Sequence, residues 1–561
     1  MRIEKQGEEI ILKKFKHKLV GGVLVLSLSG VLAACADDPE ETDEDTGGDD
    51  AGENGEDVEE EEEDDTAAAE GGDLILAMGS DAVDLDPHGS NDTSSTHVRY
   101  QIYDKLVDFD ENTEVQPELA EDYEQIEDDT WEFNLKEGVT FHNGETFDAD
   151  DVVATLERVT DEEFASEKLF LYEMIEDIEA VDEHTVHITT EYPFAPLEFH
   201  LAHDGGGMMS AAAIEEEENG ERNLDTEPVG TGPFELENWE QGNEVVLTRF
   251  DDYHGGPVSI DSATYRVVDE QLTRTSMVDN NEAHIADDIE PTQMDQLENM
   301  EGVSTSSIES LRMDYIGMNN EVEPFDDRDV RRALNMAVDK DTIIEGVFEG
   351  YGEEAIGALN PLVFGYSDDL DPIEYNPEEA ESLLEDAGYE DGFEATLLVE
   401  DVDQVNLQIA EIIQDDLQDI GIDLSIEQQE WGALLDTTAE GEYEMVMLGW
   451  TTVTGDADYA MHPLFHSDNH GPPGNRTFYD NEETDELLDA GRQESDDDER
   501  IEIYTEAQQT IIDDATILPL VHDDFRAGIS DSVEGIIHKA DGIYDLREVE
   551  LVGDDVDGGG Y

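Results

Sequence analysis

The apolar positions of the chain fall into two periods that alternate along its length. FEATLLVE, from 393 to 400, is a short continuous apolar run of strand type. After it Ile409, Ile412, Ile413, Leu417 and Ile420 recur on one helical face, Gly421 offers a C-cap, and IDLSIEQ returns to a strand pattern. This predicts a β-α-β unit. A second helix opens at Asn376 and Pro377, a good N-cap and N1 pair, carries Ala380, Leu383, Leu384 and Ala387 on one side, and stops at Gly388. A third starts near Asp327, with Val330, Ala333, Leu334, Ala337 and Val338 at helical spacing. In the N-terminal half WEFNLK and EVVLTRF read as strands, and Asp148 begins a helix bearing Val152, Val153, Leu156 and Val159. The fold class is α/β. Length refines this: 561 residues exceed one ordinary core, and two to four domains are expected.

Charge changes the picture more than length does. The chain holds 26 Lys plus Arg against 152 Asp plus Glu, a formal net charge of −126. Such a surface repels phosphate backbones, which excludes nucleic acid as a partner. The acids are spread throughout, and only five lysines follow residue 34 (Lys105, Lys136, Lys168, Lys340 and Lys539). Self-repulsion on this scale destabilises a compact state unless salt screens it, so a halophile's protein is expected.

The single cysteine lies where it carries most meaning. KKFKHK (13 to 18) is a basic segment, LVGGVLVLSLSG is apolar, and Leu32-Ala33-Ala34 leads directly into Cys35. The basic and apolar segments have the form of a secretory signal over 1–34, its apolar part too short to span a membrane. LAAC resembles the bacterial lipobox, which implies lipidation of Cys35 and a tether as the only membrane contact. From 36 to 72 there are 20 acids and no base, so 35–72 is expected to be the lipidated Cys and an acidic, disordered linker.

Enzyme motifs are missing: no GxxxxGK[ST], GxGxxG after a strand, GxSxG or HExxH occurs in the body. With 152 acids, paired carboxylates identify nothing. His462, His466 and His470 are spaced by four, but Pro463 and SDNHGPPGN argue for an irregular loop there. His200, His203 and Asp204 form a looser cluster, read as surface residues. No metal and no cofactor are expected, and the chain is not expected to be an enzyme.

Five blocks resemble the extracellular solute-binding proteins of dipeptide, oligopeptide and nickel ATP-binding-cassette (ABC) importers. They are PELAEDYEQIEDDTWEFNLKEGVTFHNGETFDADDVVATLERV (117 to 159), VGTGPFELENW (229 to 239), MNNEVEPFDDRDVRRALNMAVDKDTII (318 to 344), YNPEEAESLLEDAGY (375 to 389) and GWTTVTGDADYAMHPLF (449 to 465). The resemblance implies a two-lobed, type II periplasmic-binding-protein-like fold with a subdomain inserted in lobe one. Lobe one is then expected over 73–315, with the insertion at about 95–220, lobe two over 316–527, and a return to lobe one with the C-terminal tail over 528–561.

The resemblance also implies a ligand between the lobes. Asn91, Asp92 and Thr93 fall where peptide-binding relatives pair with an extended ligand, and turn and N-cap roles remain open for them. In those relatives an Asp three residues after the Trp holds the ligand's α-amine; here that place is Val453, and Asp456, in a longer loop most like the glutathione-binding branch, is the replacement candidate. Its alternative is one more solvated acid, as Asp458 is also read. Trp450, Thr451 and Tyr315 are expected at the pocket, Trp450 as wall or as packing, and Arg312 and Arg476 are candidates for a ligand carboxylate. The implied function is a monomeric, lipid-anchored receptor on the outer face of the cytoplasmic membrane. It would capture peptides or glutathione-like peptides for an ABC permease with its ATPase subunits. A nickel chelate, a sugar or another small solute in the same fold is the alternative.

Overall fold

The structure is a computed structural model that describes residues 71–553 apart from 111, 402–403 and 472–473. The leader, Cys35 and most of the acidic linker lie outside the described residues. Two mixed sheets organise the body. The first has seven strands in the order Val303–Glu309, Asp524–Ser530, Ile285–Ala286, Asp73–Met78, Ser262–Val267, Glu244–Arg249 and Phe234–Glu240. The second has six, in the order Glu353–Glu354, Ile517–His522, Arg312–Met318, Met445–Thr451, Phe393–Glu400 and Ile422–Gln429. A four-stranded antiparallel sheet, Ala120–Glu127, Thr130–Leu135, Thr185–Thr190 and Ile175–Asp182, is inserted before the first sheet is complete.

The helical expectations have local causes. Asn376 accepts from the Glu379 amide, Pro377 follows at N1, and Gly388 ends the helix at φ +97° in the left-handed region that glycine tolerates. Asp148 and Asp151 form a reciprocal capping box at the start of Ala149–Thr160. Phe393–Glu400, helix Gln404–Asp419 and Ile422–Gln429 form the expected β-α-β unit, the strands parallel with Phe393 opposite Ile422. Leu397, Val399, Ile409, Ile413, Leu417 and Ile422 share one buried core. In the GTGP turn, a Cβ on Gly230 would stand 2.0 Å from the Ile102 carbonyl oxygen, and one on Gly232 2.6 Å from that of Gln101. These glycines are required by close backbone packing against a helix end.

The chain passes from the first sheet to the second between Glu309 and Arg312, and back between His522 and Asp524. The two crossings run side by side. Glu309 pairs with Asp524 on one side and Asp314 with Val521 on the other, and the Ser310 hydroxyl donates to the Asp523 carbonyl between them. After the second crossing the chain adds a hairpin, Ile537–His538 with Tyr544–Asp545, whose turn carries Asp541.

Candidate functional site

A cavity of about 350 Å³ is lined by residues from both sheet systems. One wall comes from the loop and helix after the opening strand (Asn91, Asp92, Thr93, Thr96, Tyr100), from Lys105, Phe109, Phe170, His203 and Asp204, and from the hairpin turn at Asp541 and Ile543. The opposite wall comes from the end of strand Met445–Thr451 and the residues after it: Gly449, Trp450, Thr451, Val453, Tyr459 and Pro463. Aromatic rings give this space its shape: Tyr459 lies 5.6 Å from Trp450, 6.2 Å from Phe170 and 6.3 Å from His203, centroid to centroid. The buried Trp450 Nε1 has no hydrogen-bond partner among the described residues. An apolar cage with one unspent donor suits a ligand with both apolar and polar surface.

The charged groups of the wall differ in how far they are already satisfied. Asp92 caps helix Thr93–Ile102, accepting from the Ser95 amide at 2.8 Å and from the Ser90 hydroxyl. Burial pulls Asp204 upward, but Arg99 at 2.8 Å and Lys168 at 2.7 Å outweigh it and hold the carboxyl well below its usual range. Burial disfavours the Lys105 ammonium, and Asp108 at 2.6 Å, with Glu118, overcomes that and keeps it charged. Burial makes His203 a neutral imidazole, whose Nδ1 accepts from the Gly205 amide at 3.0 Å. It also pushes the Tyr459 hydroxyl up to about 12.

Of the residues expected at the site, the structure brings Asn91, Asp92, Thr93, Trp450 and Thr451 to this cavity. Arg312 lines a second cavity of about 560 Å³, which shares Thr93 with the first, and donates to Asp314 at 2.6 Å. Gly449 makes room for it: a Cβ there would stand 2.2 Å from the Arg312 guanidinium. Three expectations are corrected. Tyr315 lines neither cavity and packs in a buried cluster with Val446 and Leu448. Arg476 is turned away, donating at 2.7 Å to the Leu435 carbonyl and at 2.7 Å to the Thr438 hydroxyl. Asp456 is fully buried and lines neither cavity; its two oxygens each accept from Arg500 at 2.7 Å, and it caps helix Ala457–Phe465 through the Asp458 amide.

Asp458 is not a surface acid either. It forms an ion pair with Arg492 at 2.9 Å and stands 3.3 Å from His200 Nε2, which links the second sheet's helices to the first sheet's side of the cleft. His200 and His203 are buried. The expected loop around Pro463 is helical: Pro463 falls in the final turns of Ala457–Phe465, where the missing N–H costs one bond. His462 and His466 therefore do stack, joined by Asp489 rather than His470. The His466 Nδ1 accepts from the Asp468 amide at 3.1 Å, leaving the proton on Nε2, and Arg492 approaches His462 Nε2 at 3.1 Å. His466 Nδ1 and His462 Nε2 are committed to these contacts, His466 Nε2 stands 3.5 Å from Asp489, and His470 Nε2 donates to the Tyr479 carbonyl, 2.9 Å away.

Sequence reasoning missed Tyr100, Lys105, Phe109, Phe170 and Asp541. A usable signal existed for Lys105. Of the five lysines after residue 34, Lys105, Lys168, Lys340 and Lys539 are buried. In a chain with almost no lysine, four of the five that remain are internal.

The family model for bacterial extracellular solute-binding proteins, family 5, matches residues 114–472. The chain is 32% identical over 487 residues to the glutathione-binding protein GsiB of Escherichia coli strain K12, covering 85% of this chain and 94% of that protein. Among solved structures it resembles the periplasmic binding protein DppA of Helicobacter pylori in complex with the peptide STSA, at TM-score 0.76 and 30% identity, over 86% of this chain and 99% of that one. It also resembles a dipeptide-binding protein of Pseudoalteromonas in complex with Met-Leu, at TM-score 0.75 and 26% identity, over 85% and 100% respectively.

Proposed function

Because the chain belongs to family 5 of the bacterial extracellular solute-binding proteins, we propose that it is the receptor of an ABC importer that captures peptides or glutathione-like peptides between its lobes. The observation that carries this reading is the aromatic and polar cavity built from both sheet systems, beside two short crossings about which the lobes can rotate. Binding then selects the closed form, which a permease with its ATPase subunits can recognise. Trp450 and Tyr459 close over the ligand, and Asn91, Asp92 and Thr93 offer polar contacts along it. The likeness to peptide-binding and glutathione-binding proteins supports this ligand class over a nickel chelate or a sugar.

The finer assignments belong to the same proposal: an exported, monomeric lipoprotein tethered through Cys35 by an acidic spacer, on the outer face of the membrane of a halophile, with no catalytic activity. Isothermal titration at molar salt tests the ligand class, with glutathione, a di- and tripeptide library and nickel-histidine complexes. Saturable binding of a peptide-like ligand is expected. Binding of the nickel complex alone would replace the reading with the metal-chelate one.

A further inference from the structure

The peptide reading leaves open which end of a ligand this cleft holds, and the acids of the cavity narrow the choice. The Trp-plus-three position, Val453, is apolar and lines the wall. Asp92 is occupied as a helix cap, and Asp204 sits between Arg99 and Lys168. Asp541 is different. It is half-buried in the hairpin turn, accepts only from the Ile543 amide at 3.1 Å, and has no cation within ion-pair distance among the described residues. Its backbone is fixed: Lys539 N–H donates to Ile543 at 2.8 Å, Gly542 N–H to Lys539 at 2.8 Å, and Leu311 N–H at the crossing to Ala540 at 3.0 Å.

The same cavity is lined by Lys105, whose ammonium donates to Asp108 at 2.6 Å and to no other acceptor among the described residues. Asp108 is shared among Lys105 at 2.6 Å, Lys539 at 3.3 Å and Arg547 at 3.2 Å, Arg547 being held more closely by Glu118 at 2.9 Å and Asp545 at 2.6 Å. Lys105 and Asp541 line this one cavity of about 350 Å³. The cavity thus offers a negative and a positive group within one space, each with unspent capacity.

We propose that this end of the cleft recognises a free α-amino-acid head, its ammonium on Asp541 and its carboxylate on Lys105, as a γ-glutamyl peptide presents on one carbon. An α-linked peptide carries only the ammonium at its N-terminus, followed by a neutral amide, and leaves Lys105 without an anion. This rests on the receptor reading above and specifies its ligand class.

Four probes separate the contributions: glutathione, α-Glu-Cys-Gly, glutaryl-Cys-Gly, which lacks the amine, and 4-aminobutanoyl-Cys-Gly, which lacks the α-carboxylate. Titration calorimetry on the full folded chain should rank glutathione tightest, with each of the other three weaker by about 10-fold or more. Asp541→Asn, at a half-exposed turn, should keep the melting temperature and weaken glutathione by about 30-fold while leaving glutaryl-Cys-Gly unchanged within about twofold. The buried Lys105 is tested from the ligand side, by the aminobutanoyl analogue, so that misfolding cannot mimic the result. Equal affinity for glutathione and for either the aminobutanoyl or the α-linked peptide overturns the head-group assignment while the receptor reading stands; so does an Asp541→Asn protein that binds glutathione normally. Failure of all four probes, with binding of a nickel complex instead, overturns the receptor reading itself.

Discussion

Asp456→Ala separates a structural carboxylate from a ligand-binding one. Both Asp456 oxygens accept from Arg500 at 2.7 Å, with the two side chains 0% and 2% exposed, and Arg500 is further held by the Gly491 carbonyl at 2.8 Å and by the ring faces of Phe364 and Tyr504. Removing the acid leaves a guanidinium buried and short of its anion, which costs about 3–5 kcal/mol. The same carboxylate caps helix Ala457–Phe465, and losing a cap costs about 1 kcal/mol. The two losses share one group and overlap, so we expect about 4 kcal/mol, roughly a thousandfold in the unfolding constant. Urea unfolding at fixed salt reads this out. Asp456→Ala with Arg500→Met should recover much of the loss, since both charges then leave the interior together. Normal stability of Asp456→Ala combined with weaker glutathione binding would refute the reasoning and return Asp456 to the ligand.

Burial holds His522, 4% exposed in strand Ile517–His522, down at about 4 against an ordinary 6.5. The unfolded chain therefore binds the extra proton first, and stability should fall as pH drops from 6.5 towards 4, by on the order of 3 kcal/mol from this group; His522→Asn should flatten that slope, and an unchanged slope contradicts the assignment. The net charge of −126 predicts higher melting temperatures in 2 M than in 0.1 M potassium chloride, roughly, once salting-out is corrected with a neutral protein, and equal values would count against a halophilic surface. Cys35→Ala should leave the precursor unprocessed and without acyl label; a diacylglyceryl mass increment on the mutant would show that Cys35 is not the anchor.

Elements whose cause is local were legible in the sequence. Asn376, Pro377 and Gly388 specify a helix by capping alone, and FEATLLVE spans the strand Phe393–Glu400. The site was half legible. Asn91, Asp92, Thr93, Trp450 and Thr451 reach the cavity because they sit on segments placed by the fold, whereas Asp456 was misread because its partner, Arg500, is 44 residues away and only tertiary packing joins them. Asp458 was misread for the same reason, its partners being Arg492 and His200. Helix 457–465 shows the limit of a breaker rule: Pro463 costs the one bond its N–H would have given to the turn before it, and the helix still runs to Phe465. Asp541 gave no signal at all, since an acid in a turn is ordinary among 152 acids and only the cavity distinguishes it.

The strand order of the first sheet dictates a sequence of events during synthesis. Asp524–Ser530 lies between Val303–Glu309 and Ile285–Ala286, so the earlier strands stay parted until the last forty or so residues of the body arrive. The segment from 312 to 522 waits for nothing, because its second sheet and the core of Leu334, Leu397, Ile413 and Leu518 lie within it. The half of the chain made first is thus completed last. A chain built in this order leaves its first-made sheet open until its last-made strand is there to close it.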